Sequence, residues 1–310
     1  MNSSYISCYA ISTIACSFCF RYGVQVNVSW YKCWQTKDSD TVTTVTLMPS
    51  IFNFPLDIEE NILNILAEDD EGHSELKICS LVCQAFLPIC RKHIFESIVL
   101  SNDYNLARSP TTLAFERLLR ETPEIADCIR KLDYSIRKTD NSIRKTDLTS
   151  PSIQESLKRI NRLEFLTFQN WESVNWSNNP IRPALLHLLH LPTLTHFKAT
   201  NIKDFLVSDL IPCVNLKCLE IGIKTSASAE NTFPATLPHP IQLEELVAEF
   251  GSSTTIMKLC TTRRPDGQPI VDFGSLSKIK MDIEEPNDGE ASQELFRRCH
   301  VLTYVHIYCK

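Results

Sequence analysis

One short phrase recurs along the chain and restricts its fold more than any other feature. Apolar residues at positions i, i+3 and i+5 occur in FESIVL from Phe95, IRKLDY from Ile129, LEFLTF from Leu163, LTHFKA from Leu194, LKCLEI from Leu216, LEELVA from Leu243, LSKIKM from Leu276 and LTYVHI from Leu302. Side chains alternate between the two faces of a strand, so positions i+3 and i+5 fall on the same face. Successive phrases begin 22 to 34 residues apart, which leaves room for a strand and a helical return. TTLAFERLLRE, PSIQESLKRI, IRPALLHLLH, KDFLVSDLI and ASQELFRRC carry helical patterns within these intervals. Strand, crossover helix and parallel strand, repeated, predict an α/β chain in which no unit can bury its apolar face without its neighbours.

Composition narrows the chemistry. The 310 residues are 43% hydrophobic and 22% charged, with a net charge of -6, so the chain is globular and has no general attraction for nucleic acid. Seven glycines are present, none close enough to another to form a phosphate-cradling loop. Nucleotide enzymes that depend on such loops are therefore disfavoured. There is no G-x-S-x-G elbow and no H-E-x-x-H, and no catalytic activity, cofactor or metal is expected.

Thirteen cysteines raise the question of metal or redox chemistry. The count is odd and the spacing irregular, which favours a reducing compartment over a disulfide framework. Cys16 and Cys19 form a CxxC, but no second pair completes a four-ligand site. His187, His190 and His196 lie in or near an apolar helical run. Cys83 and His93 are a conceivable catalytic pair, yet packing is the simpler reading for both, since free cysteine is among the most buried residue types.

Residues 51–100 read differently from the rest. In FPLDIEENILNILAEDDEGHSELKICSLVCQAFLPICRKHIFESIVL, Pro55 stands near a helix start and Asp57 and Glu59 fall in the first turn, where the helix dipole favours anions. Ile58, Ile62, Ile65 and Leu66 follow at helical spacing. Leu76, Cys79 and Cys83 line a second helix, and Leu87, Cys90 and Ile94 a third that begins near Pro88. Three helices this small bury little surface alone and rely on a partner or a neighbouring domain.

The order F-P-x-D-I-x-x-x-I-L-x-x-L, a polar loop, then L-K-x-C-S-L-V-C-x-x-F-L-P-x-C-R-x-H-I-F resembles the F-box motif, in the F-box-like variant common in mushroom-forming fungi. Phe54 stands where leucine is usual, Phe86 where tryptophan is usual, and the acidic loop is long. The resemblance implies docking to a Skp-type adaptor and, through it, to a cullin ubiquitin ligase. Phe54, Pro55, Ile58, Leu63, Val82 and Cys83 are the residues it assigns to adaptor contacts. Downstream, residues 101–310 resemble an irregular leucine-rich-repeat-like solenoid of parallel strands and helices, without the asparagine of the strict repeat. Such solenoids resemble the substrate-reading halves of F-box proteins, so the binding of an unidentified substrate protein is expected there.

Residues 1–50 are read as a poorly ordered extension. MNSSYISCYAISTIACSFCFRYG lacks a basic start and is too short and too polar for a membrane span, so an intracellular location, cytoplasmic or nuclear, is expected, with no membrane partner. SIRKTDNSIRKTD, from Ser135 to Asp147, repeats at seven residues with balanced charge and reads as an expanded surface loop. Solenoids need a terminal cap, so truncation at Lys310 or capping by another chain is expected. The rival from another class is a scaffold whose degenerate F-box binds no adaptor; a secreted repeat receptor lacks both signal peptide and paired cysteines.

Overall fold

All eight phrases form strands, and the strands lie side by side in the order in which the chain reaches them. The computed structural model describes residues 56–69, 73–82, 84–101, 110–136, 151–228, 238–284 and 286–309. The chain divides between Ile94 and Phe95 into two units. The first phrase therefore belongs with the sheet, whereas the sequence reading carried the helical module to residue 100. The predicted N-terminal extension, residues 1–50, lies outside the described residues.

The first unit contains α1 (Leu56–Asp69), α2 (Ser74–Val82) and α3 (Phe86–Ile94). The second is α/β. Its longer strands are β1 (Ser97–Ser101), β2 (Lys131–Ile136), β3 (Phe165–Asn175), β4 (His196–Lys203), β5 (Cys218–Ile221), β6 (Glu245–Ala248), β7 (Lys278–Ile283) and β8 (Tyr304–Cys309), beside two pairs of two-residue strands. They form one eight-stranded sheet in chain order, and every neighbouring pair is parallel. Parallel neighbours require crossovers, and α4 (Pro110–Glu121), α5 (Pro151–Leu157), α6 (Arg182–Leu189), α7 (Ser253–Thr261) and α8 (Pro286–Phe296) lie in them.

Register converts the phrase into a core. The i+3 residues form one continuous ladder, Ile98, Leu132, Leu166, Phe197, Leu219, Leu246, Ile279 and Val305, and the i+5 residues form a second, Leu100, Tyr134, Phe168, Ala199, Ile221, Ala248, Met281 and Ile307. Between the end strands both ladders are buried, in one cluster with Leu119, Leu157, Leu188 and Leu259 from the crossover helices. The i residues Ile129, Leu163, Leu194, Leu216, Leu243 and Leu276 are buried as well.

A backbone device sets the entry of each strand. The carbonyl of Glu96 accepts from the N–H groups of both Arg130 and Lys131 at 2.8 and 2.9 Å. The same pair of bonds recurs from Glu164 and Phe165 to Arg130, Thr195 and His196 to Glu164, Lys217 and Cys218 to Thr195, Glu244 and Glu245 to Lys217, Ser277 and Lys278 to Glu244, and Thr303 and Tyr304 to Ser277. The acceptor is always the residue after the first apolar position. One residue of slip would turn every inward side chain outward, and these junctions oppose it.

The crossovers differ more than the strands. KDFLVSDLI, expected as a helix, forms an extended Phe205–Leu206 pair with Ala227–Ser228 and a single 3-10 turn over Val207–Leu210. Asn201 and Asp204 sit at φ of 57° and 56°, and such left-handed residues interrupt a helical path. This turn is anchored by Asp209, whose carboxylate accepts from Trp176 Nε1 at 2.6 Å and from the Arg182 guanidinium at 2.9 and 3.0 Å. Trp176 packs in turn against Phe168 and Phe205. Helix α7, STTIMKLCT, was not expected, because its Ser and Thr residues have modest helix propensity; burial of Ile256, Leu259 and Cys260 holds it.

Truncation should cost most where the ladders are enclosed. Leu246→Ala, at 0% exposure, should lower unfolding free energy by about 2–5 kcal/mol. Val305→Ala, at 46% exposure on the same ladder, should change it by roughly 0.5 kcal/mol or less. Chemical denaturation of the two variants checks the difference, and equal losses would mean that β8 is enclosed like the others.

Candidate protein-binding surfaces

The three N-terminal helices close on Leu63, Leu76, Cys79 and Cys90, with Leu66, Ala67, Phe86, Ile89 and Ile94 packed against them. Polar contacts fix α3 to α1: Lys92 Nζ meets Glu60 at 3.4 Å, and His93 Nε2 meets Asn64 Oδ1 at 2.8 Å. His93 is thus engaged in a structural contact. Burial pushes the Cys79 thiol up, and it pushes Cys90 up to about 11 with a further contribution from Cys79. The thiolate is the form that binds metal and attacks electrophiles, so these cysteines act as small apolar residues.

The residues assigned to adaptor contacts separate into three groups. Leu63 is 2% exposed and belongs to the interior of the module, where it joins the helices; a side chain enclosed by its own unit presents no surface to a partner. Ile58 lies in α1 and Val82 ends α2, both with side chains outside the described set, and Phe54, Pro55 and Cys83 lie outside the described residues altogether. Other apolar side chains are exposed instead: Leu81 at 86%, Ile78 at 43% and Ile65 at 42%. Ile78 and Leu81 are three apart and so share one side of α2. The signal was present in the sequence, since both fall off the side marked by the buried Leu76 and Cys79.

The second surface is the outward face of the sheet. Its middle strands carry Phe165, His196 and Cys218 on one rung and Asp133, Thr167, Lys198 and Glu220 on the next. Phe165 stacks on the His196 ring at 4.0 Å, and Lys131 Nζ lies 5.3 Å from the Phe165 centroid. Lys198 Nζ reaches Glu220 at 2.9 Å and Glu249 at 3.5 Å, while Lys280 and Lys278 approach Glu245 at 3.4 and 3.9 Å. Burial works against the Lys198 charge, but the Glu220 and Glu249 carboxylates outweigh it and hold its pKa above the ordinary lysine value. Burial lowers the His196 pKa despite the opposing pull of Glu245, Glu220, Glu244 and Glu164. The face is therefore charge-balanced, with a neutral aromatic pair at its centre.

Neither cysteine nor histidine converges on a reactive centre. Burial pushes Cys218 and Cys260 up to about 12 and raises Cys213 further. The His190 ring donates to the Asp209 carbonyl at 2.9 Å, His187 lies 3.3 Å from the Ile160 carbonyl, and His196 is on the opposite face. Among the described residues, no group of three or more His, Cys, Asp or Glu side chains could hold a metal ion, and no helix is long and apolar enough to cross a membrane. Comparison of the chain with protein-family models, curated proteins and solved structures returns no match.

Asp133 is the unsatisfied acid of the outward face. Its Oδ1 is buried without a hydrogen-bond partner among the described residues, and burial raises its pKa, with Lys198 only partly opposing. A carboxyl whose pKa is raised on folding favours the fold in its neutral form, so its contribution is lost as pH rises through the folded value. Asp133→Asn should therefore raise the melting temperature at pH 7, with the gain disappearing below about pH 4, near the ordinary aspartate pKa. Melting temperatures of both proteins across this range check the sign; a loss of stability at pH 7 would reveal a partner for the carboxylate.

Proposed function

We propose that the chain is a substrate-recognition adaptor of a Skp/cullin/F-box ubiquitin ligase, without catalytic activity of its own. Residues 56–94 would dock the Skp-type adaptor as an F-box-like module. The parallel stack from Phe95 onward would act as an irregular leucine-rich-repeat-like solenoid that holds a substrate protein. The observation that carries this reading is the exposed apolar side of α2. Leu81 at 86% and Ile78 at 43% exposure lie within L-K-I-C-S-L-V, part of the segment that resembles the motif. Side chains of this kind are what a partner covers, and a module with four buried apolar residues among those described has reason to gain stability from one.

The solenoid reading draws support from the unbroken parallel order of the sheet and the sevenfold repetition of its strand junctions. Each unit there pairs only with the strands before and after it, as stacking architectures require. The balanced charges and central Phe165–His196 pair of the outward face suit recognition of a protein by shape and aromatic contact better than long-range attraction of a polyanion.

Co-expression of the full chain with a Skp-type adaptor tests the proposal. The wild-type chain should co-purify. A variant carrying Ile78→Asp and Leu81→Asp should lose association by at least about tenfold, since buried interface anchors contribute about 2 kcal/mol or more each, while keeping its circular dichroism. Absence of binding by the folded wild-type chain would leave a solenoid scaffold outside the ubiquitin system, and turnover of a substrate without added ligase subunits would overturn the assignment of no catalysis.

A further inference from the structure

The described sheet ends on β8, whose exposed edge is chemically a palindrome. From Tyr304 to Tyr308 it reads Tyr-Val-His-Ile-Tyr, and reversal about His306 exchanges tyrosine with tyrosine and valine with isoleucine. Tyr304, Val305, Ile307 and Tyr308 are 45, 46, 39 and 55% exposed. Yet Val305 and Ile307 continue the two ladders whose preceding members, Ile279 and Met281, are 0 and 3% exposed. No Lys, Arg, Asp, Glu or Pro occurs from Tyr304 to Cys309, so the strand carries neither the charge nor the proline that guards an edge against pairing.

The backbone is oriented for one more strand. Tyr304 turns its N–H to the Ser277 carbonyl on the β7 side. Alternation along the strand then turns the N–H and C=O of Val305, Ile307 and Cys309 to the free side, while the Thr303 N–H, at the junction, is bonded to Ser277.

We propose that β8 pairs antiparallel with β8 of a second copy of this chain, about a two-fold axis beside His306 and perpendicular to the sheet. Val305 of one copy then faces Ile307 of the other and exchanges both backbone bonds with it. The two-fold keeps each face of the sheet on its own side. The aliphatic pairs extend the inward ladders, and each Tyr304 meets the other copy's Tyr308 on the outward face, where cross-strand aromatic pairs are stabilising. His306 lies opposite itself in a non-hydrogen-bonded pair, the closer of the two antiparallel spacings. An unrelated strand could satisfy the same backbone groups in either direction. Only a strand that faces itself accounts for a side-chain order that reads alike both ways, the signature of an isologous contact.

Sedimentation of the full chain at micromolar concentration should give twice the mass of one chain. Ile307→Lys, which places like charges in the pairing strands, should sediment as one chain with unchanged circular dichroism. In a Cys309→Ser background, H306C should form a disulfide-linked dimer on mild oxidation, because its Cα separation from its own copy, about 4.5 Å, lies within the disulfide range. Y304C, which would face Tyr308 instead, should not. A monomeric wild-type chain, an open polymer, a dimer indifferent to Ile307→Lys, or equal cross-linking of H306C and Y304C would each overturn the proposal.

Discussion

The second unit depends on a carbonyl that accepts twice. At each of seven junctions the residue after the first apolar position receives the N–H groups of two consecutive residues entering the next strand. This fixes where the incoming strand starts, and therefore which side chains face inward. Two apolar ladders and a third row of leucine or isoleucine follow from that choice. Burial supplies most of the free energy, but it rewards only the register that the junction permits.

The same constraint divides labour between the faces. Inward positions accept Leu, Ile, Phe, Tyr, Met or Ala, since the requirement there is volume; the Tyr134–Phe168–Trp176–Phe205 succession shows how the core widens where Asp209 holds Trp176 and Arg182. Outward positions have no packing requirement and carry the charges, most of them neutralised by a neighbour on the next strand. Thr200 and Gly222 are a local exception. A Cβ on Gly222 would stand 2.2 Å from Thr200 Oγ1, so absence of a side chain lets the adjacent hydroxyl lie across the strand end. The chemistry available to a partner is therefore concentrated in a few unpaired or aromatic groups.

Much of this arrangement was legible in the sequence, because strand alternation and the i, i+3, i+5 spacing are local properties. All eight phrases form strands, and α4, α5 and α6 occupy the segments expected of them. What escaped was decided by tertiary contacts. The KDFLVSDLI segment has an apolar period, but left-handed Asn201 and Asp204 and the anchoring of Asp209 give it an extended path and a short turn. Helix α7 was hidden by threonine and serine, whose weak propensity is overridden by burial of Ile256 and Leu259. In the helical module the pattern identified apolar residues without showing which would be enclosed. Leu63 turned inward while Leu81 did not, a distinction that depends on how α1 and α2 close on Cys90.

Crossover length is the one quantity the junctions leave free. Each needs only a carbonyl, two N–H groups and three apolar side chains, and the intervening chain has merely to return to the start. Phrases separated by 22 and by 34 residues accordingly enter the same sheet in the same register. The tandem SIRKTDN/SIRKTD begins within β2 and runs on into the crossover toward α5. The rungs of β2 from Lys131 to Ile136 pair in register with β3 all the same. The fold thus makes two different demands on its sequence: strand positions must match both neighbouring strands in volume and register, whereas a return has only to deliver the chain to the next junction.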